Sequence, residues 1–246
     1  MELGLRGRTA VVGGASAGIG LGIAEALAAE GANVAMFARG RDVLEREATR
    51  LGGLAVAGDA SDPADLERLV AATVERFGGV DVLVVNAGGP PRIKARDLTD
   101  DDVRGAVDLL LLYAVRLVRL CLPHLEASPA GRIVTITSSA AQEPIDNLAL
   151  SNAIRPGIAG WSKTLARELG PQGITVNTVA PGRIETERLA EVYPDGPTDA
   201  DLAAIPLRRF GQPRELGDVV AFVASDRAAY VTGQSIVVDG GLTRGL

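Results

Sequence analysis

The stretch LALSNAIRPG, Leu148 to Gly157, places Ser151 and Arg155 four residues apart, a spacing that turns both side chains to one face of a helix. A polar pair at that spacing is common on any helix. Its interest lies in what it offers together: a hydroxyl that donates or accepts, and a guanidinium that stays cationic and carries several donors. Such groups can hold sugar hydroxyls or steady a developing negative oxygen. A serine is a much weaker acid than a phenol, so the pair lacks an obvious proton donor.

A second segment with chemical content is GGASAGIG, in which Gly14, Ser16, Gly18, Ile19 and Gly20 lead from a strand into a helix. Glycines there allow a sharp turn and a close approach of backbone to a pyrophosphate. The helix start adds free N–H groups and the positive end of a dipole. The following strand ends Phe37-Ala38-Arg39-Gly40-Arg41, without the acidic residue that would bind the ribose 2′-hydroxyl of NAD. Arg39 matches a 2′-phosphate bidentately, so the expected cofactor is NADP, with NAD as the alternative.

The 246 residues are 47% apolar and 23% charged, which suits one α/β domain spanning 1–246 and excludes wholesale disorder. A net charge of −6 argues against nucleic acid or membrane as a general partner, while leaving room for a local basic pocket. The lone histidine, His124, cannot build a His-based triad or a multi-histidine centre, and no metal is expected. The lone cysteine, Cys121, lies in an apolar helical stretch and reads as a small buried hydrophobe. With no internal disulfide, no signal peptide and no run of about 18 apolar residues, the setting expected is cytoplasmic.

These groups need a scaffold, and strand-like and helix-like segments alternate along the chain to supply one. Strands are expected at Thr9–Val12, Asn33–Phe37, Leu54–Ala57, Val80–Val85, Arg132–Thr137, Ile174–Val179 and Ser235–Val238. Helices are expected at Gly18–Ala29, Asp42–Leu51, from an Asp62 N-cap to Phe77, from Thr99 or Asp100 to Leu125, and at Asn152–Leu169. Continuous apolar strands separated by amphipathic helices imply a single-domain, Rossmann-type, doubly wound parallel sheet of about seven strands with helices on both faces. One irregular stretch, 183–209, follows the C-terminal end of a strand and reads as a substrate loop inserted in that domain.

Together these features resemble the short-chain dehydrogenase/reductase family, most nearly its 3-oxoacyl-acyl-carrier-protein reductase branch, over almost the whole chain. The glycine turn is similar to TGxxxGxG. Gly58-Asp59, with Ala60 beside it, resembles the family's adenine contact. Val85-Asn86-Ala87-Gly88 resembles NNAG, and Pro181-Gly182-Arg183-Ile184-Glu185-Thr186 resembles the PGxIxT that holds the nicotinamide. Ser138 falls where the family's catalytic serine lies. The resemblance implies NADP(H)-dependent reduction of a small-molecule carbonyl, a 3-oxoacyl group or another ketone. It also implies a homotetramer or homodimer. The apolar run Val107–Leu112, with Val115, Leu117, Val118 and Leu120, exceeds what one core face needs.

The departures from the family pattern sit at the chemistry. Gly13 replaces the leading threonine, Val85 the first asparagine of NNAG, and Leu110 the asparagine of the catalytic tetrad. The catalytic tyrosine falls on Ser151 and the lysine on Arg155; no YxxxK occurs in the chain. With 23 arginines against 2 lysines, the arginine carries less weight than the lost phenol. Arg155 can still hold ribose hydroxyls, and water can fill the space above Ser151 and relay a proton. Tyr113, Tyr193, Glu143 and Asp146 are the other candidate donors. Two further readings stay open: a nucleotide-binding scaffold without redox activity, and a lyase or cyclase on the same fold.

Overall fold

Alternate strand residues face opposite sides of one parallel sheet. Ala10 and Val12 lie in one apolar cluster with Val34, Met36, Val82, Val84, Val134 and Ile136. Val11 lies in the other with Ala35, Phe37, Leu83, Val85 and Ile133. Each such side chain is almost wholly buried, which contributes about 1.5–3 kcal/mol for each of the larger ones and explains why the strands read as continuous apolar runs. The structure is a computed structural model and describes residues 2–245.

The elements run β1 (Thr9–Gly13), α1 (Gly18–Ala29), β2 (Asn33–Ala38), α2 (Arg41–Leu51), β3 (Leu54–Ala57), α3 (Pro63–Phe77), β4 (Val82–Val85), α4 (Asp100–Ala106), α5 (Tyr113–Ala127), β5 (Arg132–Ile136), α6 (Ala149–Leu169), β6 (Thr175–Pro181), α7 (Glu187–Val192), α8 (Asp199–Ala203), α9 (Pro213–Val223) and β7 (Ser235–Val238). The sheet has seven strands in the order β3-β2-β1-β4-β5-β6-β7, and every neighbouring pair is parallel. Helices α1, α2 and α9 supply the first cluster, and α3, α5 and the end of α6 the second. The chain leaves β1 for one side of the sheet and returns to the other at β4. That reversal opens a crevice beyond the carboxyl ends of β1 and β4, where sheets of this kind bind ligands. No described helix is long and apolar enough to cross a membrane.

Several local features differ from the sequence reading. β4 starts at Val82, two residues later than expected; the Asp81 backbone still donates to Thr9 O and accepts from Arg132 N, both at 2.9 Å, and its carboxylate accepts from Thr9 N at 2.8 Å and Ser128 Oγ at 2.6 Å. β6 runs on to Pro181, whose ladder partner is Val238. The long helix expected to reach Leu125 is split by a π-helical turn over Val107–Leu112 and extends to Ala127; such turns recur at functional sites. α6 begins at Ala149, so Ser151 and Arg155 lie inside it. Pro156 and Gly157 do not end the helix. Both are exposed, so the carbonyl that loses its N–H partner at Pro156 can turn to water. The stretch 183–209 is not irregular throughout: it holds α7 and α8, and a bridge from Ile184 to Gly211 closes it. α9 was not expected. It opens on Pro213, with Gln212 and Glu215 capping each other, and Gly217 meets Gly22 of α1 so closely that a Cβ there would lie 2.3 Å from a backbone oxygen.

Candidate active site

The glycine turn is held shut by Asn86. Its buried side-chain amide donates to the Gly13 carbonyl at 2.9 Å. A Cβ on Gly20 would stand 2.0 Å from the Gly14 oxygen, and one on Gly14 would stand 2.8 Å from the Asn86 amide nitrogen. Gly14 also takes φ of 60°, open to glycine at little cost. Beyond the turn, α1 has Ala17 at its N-cap, which supplies no capping side chain, and no acidic residue in its first turn. The amides of Gly18, Ile19 and Gly20 therefore have no intrahelical acceptor and present donors to an anion. Ser16 lies half-buried in the turn. This cradle fits a dinucleotide pyrophosphate. Asn86, expected among the cofactor contacts, spends its side chain as a strut between β4 and the turn; Ala87 and Gly88 follow it toward the crevice.

Arg39 stands exposed at the carboxyl end of β2, and its positive charge helps hold the Asp59 carboxyl below its ordinary range, after the stronger hydrogen bonds from Ser61. Asp59 Oδ1 accepts from Ser61 N at 2.8 Å and Ser61 Oγ at 2.7 Å. Its carboxylate thus shapes the turn after β3, and Ala60 sits half-buried beside it. Gly182, after β6, donates to Val238 O at 2.9 Å. Ile184 is buried. Thr186 caps α7 by accepting from Leu189 N at 3.2 Å, and its methyl comes within 3.0 Å of where a Gly18 Cβ would be. The segments Pro181–Thr186 and Gly14–Gly20 thus converge over the same crevice.

At the end of β5, Ser138 Oγ accepts from Ala140 N at 3.1 Å. That bond uses a lone pair and leaves the hydroxyl proton free for a ligand oxygen. Arg155 is buried, and its Nη1 donates to Ile136 O at 3.1 Å and Thr137 O at 2.6 Å. The guanidinium is thereby pinned beside the residue preceding Ser138. Its Nε is buried without a partner, a donor left unsatisfied among protein atoms. Burial, with a smaller push from the Arg188 charge, lowers its pKa to about 10. Ser151, one turn earlier on α6, is buried. The structure therefore gathers Ser138 and Arg155 at one strand end, with Ser151 on the same helix face as Arg155.

Three of the four other candidate donors are otherwise employed. Tyr113 is fully buried with its hydroxyl on Asn86 O at 3.3 Å, and burial raises its pKa well above the ordinary value. Tyr193 packs at 5.4 Å on Phe210 and reaches Asp201 Oδ1 at 3.4 Å. Glu143 Oε1 accepts from the backbone of Arg244 at 2.5 Å and Gly245 at 2.8 Å. Asp146 is exposed. Leu110 is buried in the π-helical turn and brings no polar atom in its side chain.

Two residues at this crevice escaped the sequence reading, Arg92 and Arg188. Arg188 Nη1 and Nη2 donate to Gly89 O and Pro90 O, both at 2.7 Å. The signal was present in Gly88-Gly89-Pro90-Pro91-Arg92, a stiff segment ending in a cation directly beyond the end of β4.

Comparison with known proteins agrees with this geometry. A family model described as Enoyl-(Acyl carrier protein) reductase matches residues 14–243. The 3-oxoacyl-(acyl-carrier-protein) reductase FabG of Vibrio cholerae is 36% identical over 242 residues, covering 98% of this chain and 99% of that protein. Dehydrogenase/reductase SDR family member 4 of Oryctolagus cuniculus is 33% identical over 244 residues, covering 96% and 94%. Among solved structures, L-sorbose reductase from Gluconobacter frateurii, complexed with NADPH and L-sorbose, superimposes with a TM-score of 0.93 at 33% identity and full coverage of both chains. YwfH, an NADPH-dependent reductase involved in bacilysin biosynthesis, gives a TM-score of 0.93 at 26% identity, covering 97% and 99%.

Proposed function

This chain belongs to the short-chain dehydrogenase/reductase family of NAD(P)-dependent oxidoreductases, and from that premise we propose that it reduces a small-molecule carbonyl with NADPH, using Ser138, Ser151 and Arg155 in place of the tyrosine-based set. The observation that carries the reading is Arg155, a buried guanidinium fastened to the carbonyls of Ile136 and Thr137 at the strand end that bears Ser138.

The cofactor, when bound, supplies the hydride. Gly14, Ser16, Gly18, Ile19 and Gly20 hold its pyrophosphate, in a turn that Asn86 fastens, Arg39 its 2′-phosphate, Asp59 and Ala60 its adenine side, and Ala87, Gly88, Pro181, Gly182, Ile184 and Thr186 its nicotinamide side. Arg155 takes the ribose through donors not spent on the strand carbonyls. Its fixed charge sits in a site of low dielectric, where it favours negative charge on a substrate oxygen more than it would in water. Ser138 donates its free proton to that oxygen as a hydrogen bond. Proton delivery falls to water in the space left by the missing phenol ring, with the Ser151 hydroxyl as a relay. The stretch 183–209, carrying α7, closes over the substrate.

The test is NADPH oxidation by the purified protein against ketones, quinones and 3-oxoacyl thioesters. Turnover that Ser138→Ala cuts by roughly 10²-fold or more, on the scale of a lost oxyanion donor, supports the reading. NADPH binding with no turnover above the Ser138→Ala level would leave a scaffold. Failure to bind either cofactor would favour a lyase or cyclase. We propose further that the chain assembles as a homotetramer or homodimer in the cytoplasm. That reading is supported by the half-buried apolar side chains of Val107, Leu109, Leu111, Leu112, Val115 and Leu120 and by the single buried cysteine. Light scattering reporting a monomer would remove the assembly.

A further inference from the structure

Arg92 and Arg188 line a cavity of about 610 Å³ between the loop after β4 and α7. Residues Gly89 to Arg92 form one wall, and Arg188, Glu191 and Val192 the other. That volume suits a small ligand. Arg188 is held in place by its two bonds to Gly89 O and Pro90 O. Its guanidinium lies so near the backbone that a Cβ on Gly89 would stand 2.7 Å from Cζ, so the glycine makes the clamp feasible. Two of the five guanidinium N–H groups are spent on those carbonyls, and three remain. Pro90 and Pro91 stiffen the segment that carries Arg92.

The charges in this wall are not balanced. Among the described residues, Arg92, Arg155 and Arg188 form no ion pair. Arg92, Arg188 and Glu191 are exposed at the mouth of the cavity; partial desolvation is the first cause that lowers the Arg188 pKa, the Glu191 charge opposes it, and the Arg92 charge adds to it. Arg188 in turn acts on Arg155. Like charges gathered at one opening are unfavourable until an anion joins them, and that relief is binding energy for an anion. Glu191 offsets one of the two wall arginines, and the remaining charge, with Arg155 behind it, leaves the site positive in a chain whose net charge is −6.

Resting on the reading of this crevice as the substrate site of a carbonyl reductase, we propose that the substrate is anionic, a small carbonyl compound bearing a carboxylate or phosphate that Arg188 and Arg92 bind. The bulk negative charge of the protein makes this selectivity local to the cavity rather than a general attraction. The anion anchors the substrate at the α7 side and leaves the carbonyl to Ser138.

Two matched pairs test this with NADPH and the whole protein: 3-oxobutanoate against its methyl ester, and dihydroxyacetone phosphate against dihydroxyacetone. A charged member should exceed its neutral partner at least tenfold in kcat/KM, and whichever pair shows the larger ratio identifies carboxylate or phosphate. Arg188→Gln and Arg92→Gln should shrink that ratio below threefold, while the Kd for NADPH shifts less than twofold. Equal use of charged and neutral members overturns the proposal and leaves the reductase reading standing. So does an NADPH Kd that weakens in parallel with KM, which would assign the arginines to the cofactor. Should none of the four compounds turn over, the reductase reading is the one that suffers. Calorimetric titration of the NADP⁺-loaded protein then decides the anion site: tenfold tighter binding of a charged member, lost in Arg188→Gln, upholds it, and no preference overturns it.

Discussion

The Tyr113 hydroxyl, 3.3 Å from the Asn86 carbonyl oxygen, occupies the space that a Cβ on Gly13 would enter, since such an atom would stand 2.1 Å from it. The family pattern has a threonine at the position of Gly13. Here the polar group beside the glycine turn arrives from α5, across the sheet face, and the strand residue has shrunk to make room. Gly13→Ala should therefore cost about 1–3 kcal/mol by overpacking. Tyr113→Phe should cost about 1 kcal/mol, because a buried carbonyl loses its donor. The double variant should lose less than the sum, as the two share one volume. Denaturant unfolding of the four proteins measures the cycle, and strict additivity would show that the side chains do not compete.

Arg39 is exposed at the end of β2 and makes no ion pair among the described residues. A guanidinium so placed gains a partner only when a 2′-phosphate arrives, and a charge-assisted bond of that kind is worth about 1.5–3 kcal/mol. Arg39→Ala should weaken NADPH binding by roughly 10- to 150-fold, while NADH binding changes less than threefold. Fluorescence titration of both cofactors decides it, and equal loss for the two would take Arg39 out of the phosphate site.

Much of this could be read from the chain because it rests on local rules. Val11 and Val12 are buried on opposite faces, so both had to be apolar, and the strand announced itself. Asp62 caps α3 as its side-chain chemistry dictates. The motif order groups Ser138, Ser151 and Arg155, and Arg155 is fastened to the two carbonyls that precede Ser138. What stayed hidden depends on contacts distant in sequence. Gly217 looks like a poor helix residue until Gly22 of α1 is seen against it. Arg188 is held against the loop after β4 because Gly89 and Pro90, about a hundred positions earlier, offer it their carbonyls. The π-helical turn at Val107–Leu112 leaves no mark in a run of leucines, since every register of that run is equally apolar.

Restoring the phenol tests whether the site has lost only its acid. A tyrosine at position 151 would point along the α6 face that carries Arg155, and a lysine at 155 would free the strand-end carbonyls for water. Ser151→Tyr with Arg155→Lys should raise kcat on a substrate the natural protein accepts by tenfold or more, within the 10²- to 10⁴-fold range of general acid catalysis. Its kcat should fall as pH rises through the pKa of the new phenol, a dependence the natural protein lacks. Arg155→Lys alone should not reproduce the gain. If the double variant folds, binds NADPH and is no faster, the pocket has been reshaped beyond the tyrosine, and the water-relay assignment would need replacing.

Cys121 provides a readout of the core. It is wholly buried on α5, and burial pushes its thiol from an ordinary 9.0 up to about 12. The sign follows from proton counting. Below pH 9 both folded and unfolded chains hold the thiol proton, and the group adds no pH dependence. Between about 9 and 12 the unfolded thiol ionises while the folded one keeps its proton, so stability is lost as pH rises. The natural protein should therefore lose more unfolding free energy between pH 8.5 and 10.5 than Cys121→Ala, whose remaining loss reports the other groups titrating there. At pH 8 a disulfide reagent should leave the folded protein unmodified for as long as the core stays closed, and should react with one thiol per chain on denaturation. Rapid labelling of the native protein, or identical pH slopes in the two variants, would mean that α5 opens to solvent far more readily than its packing implies.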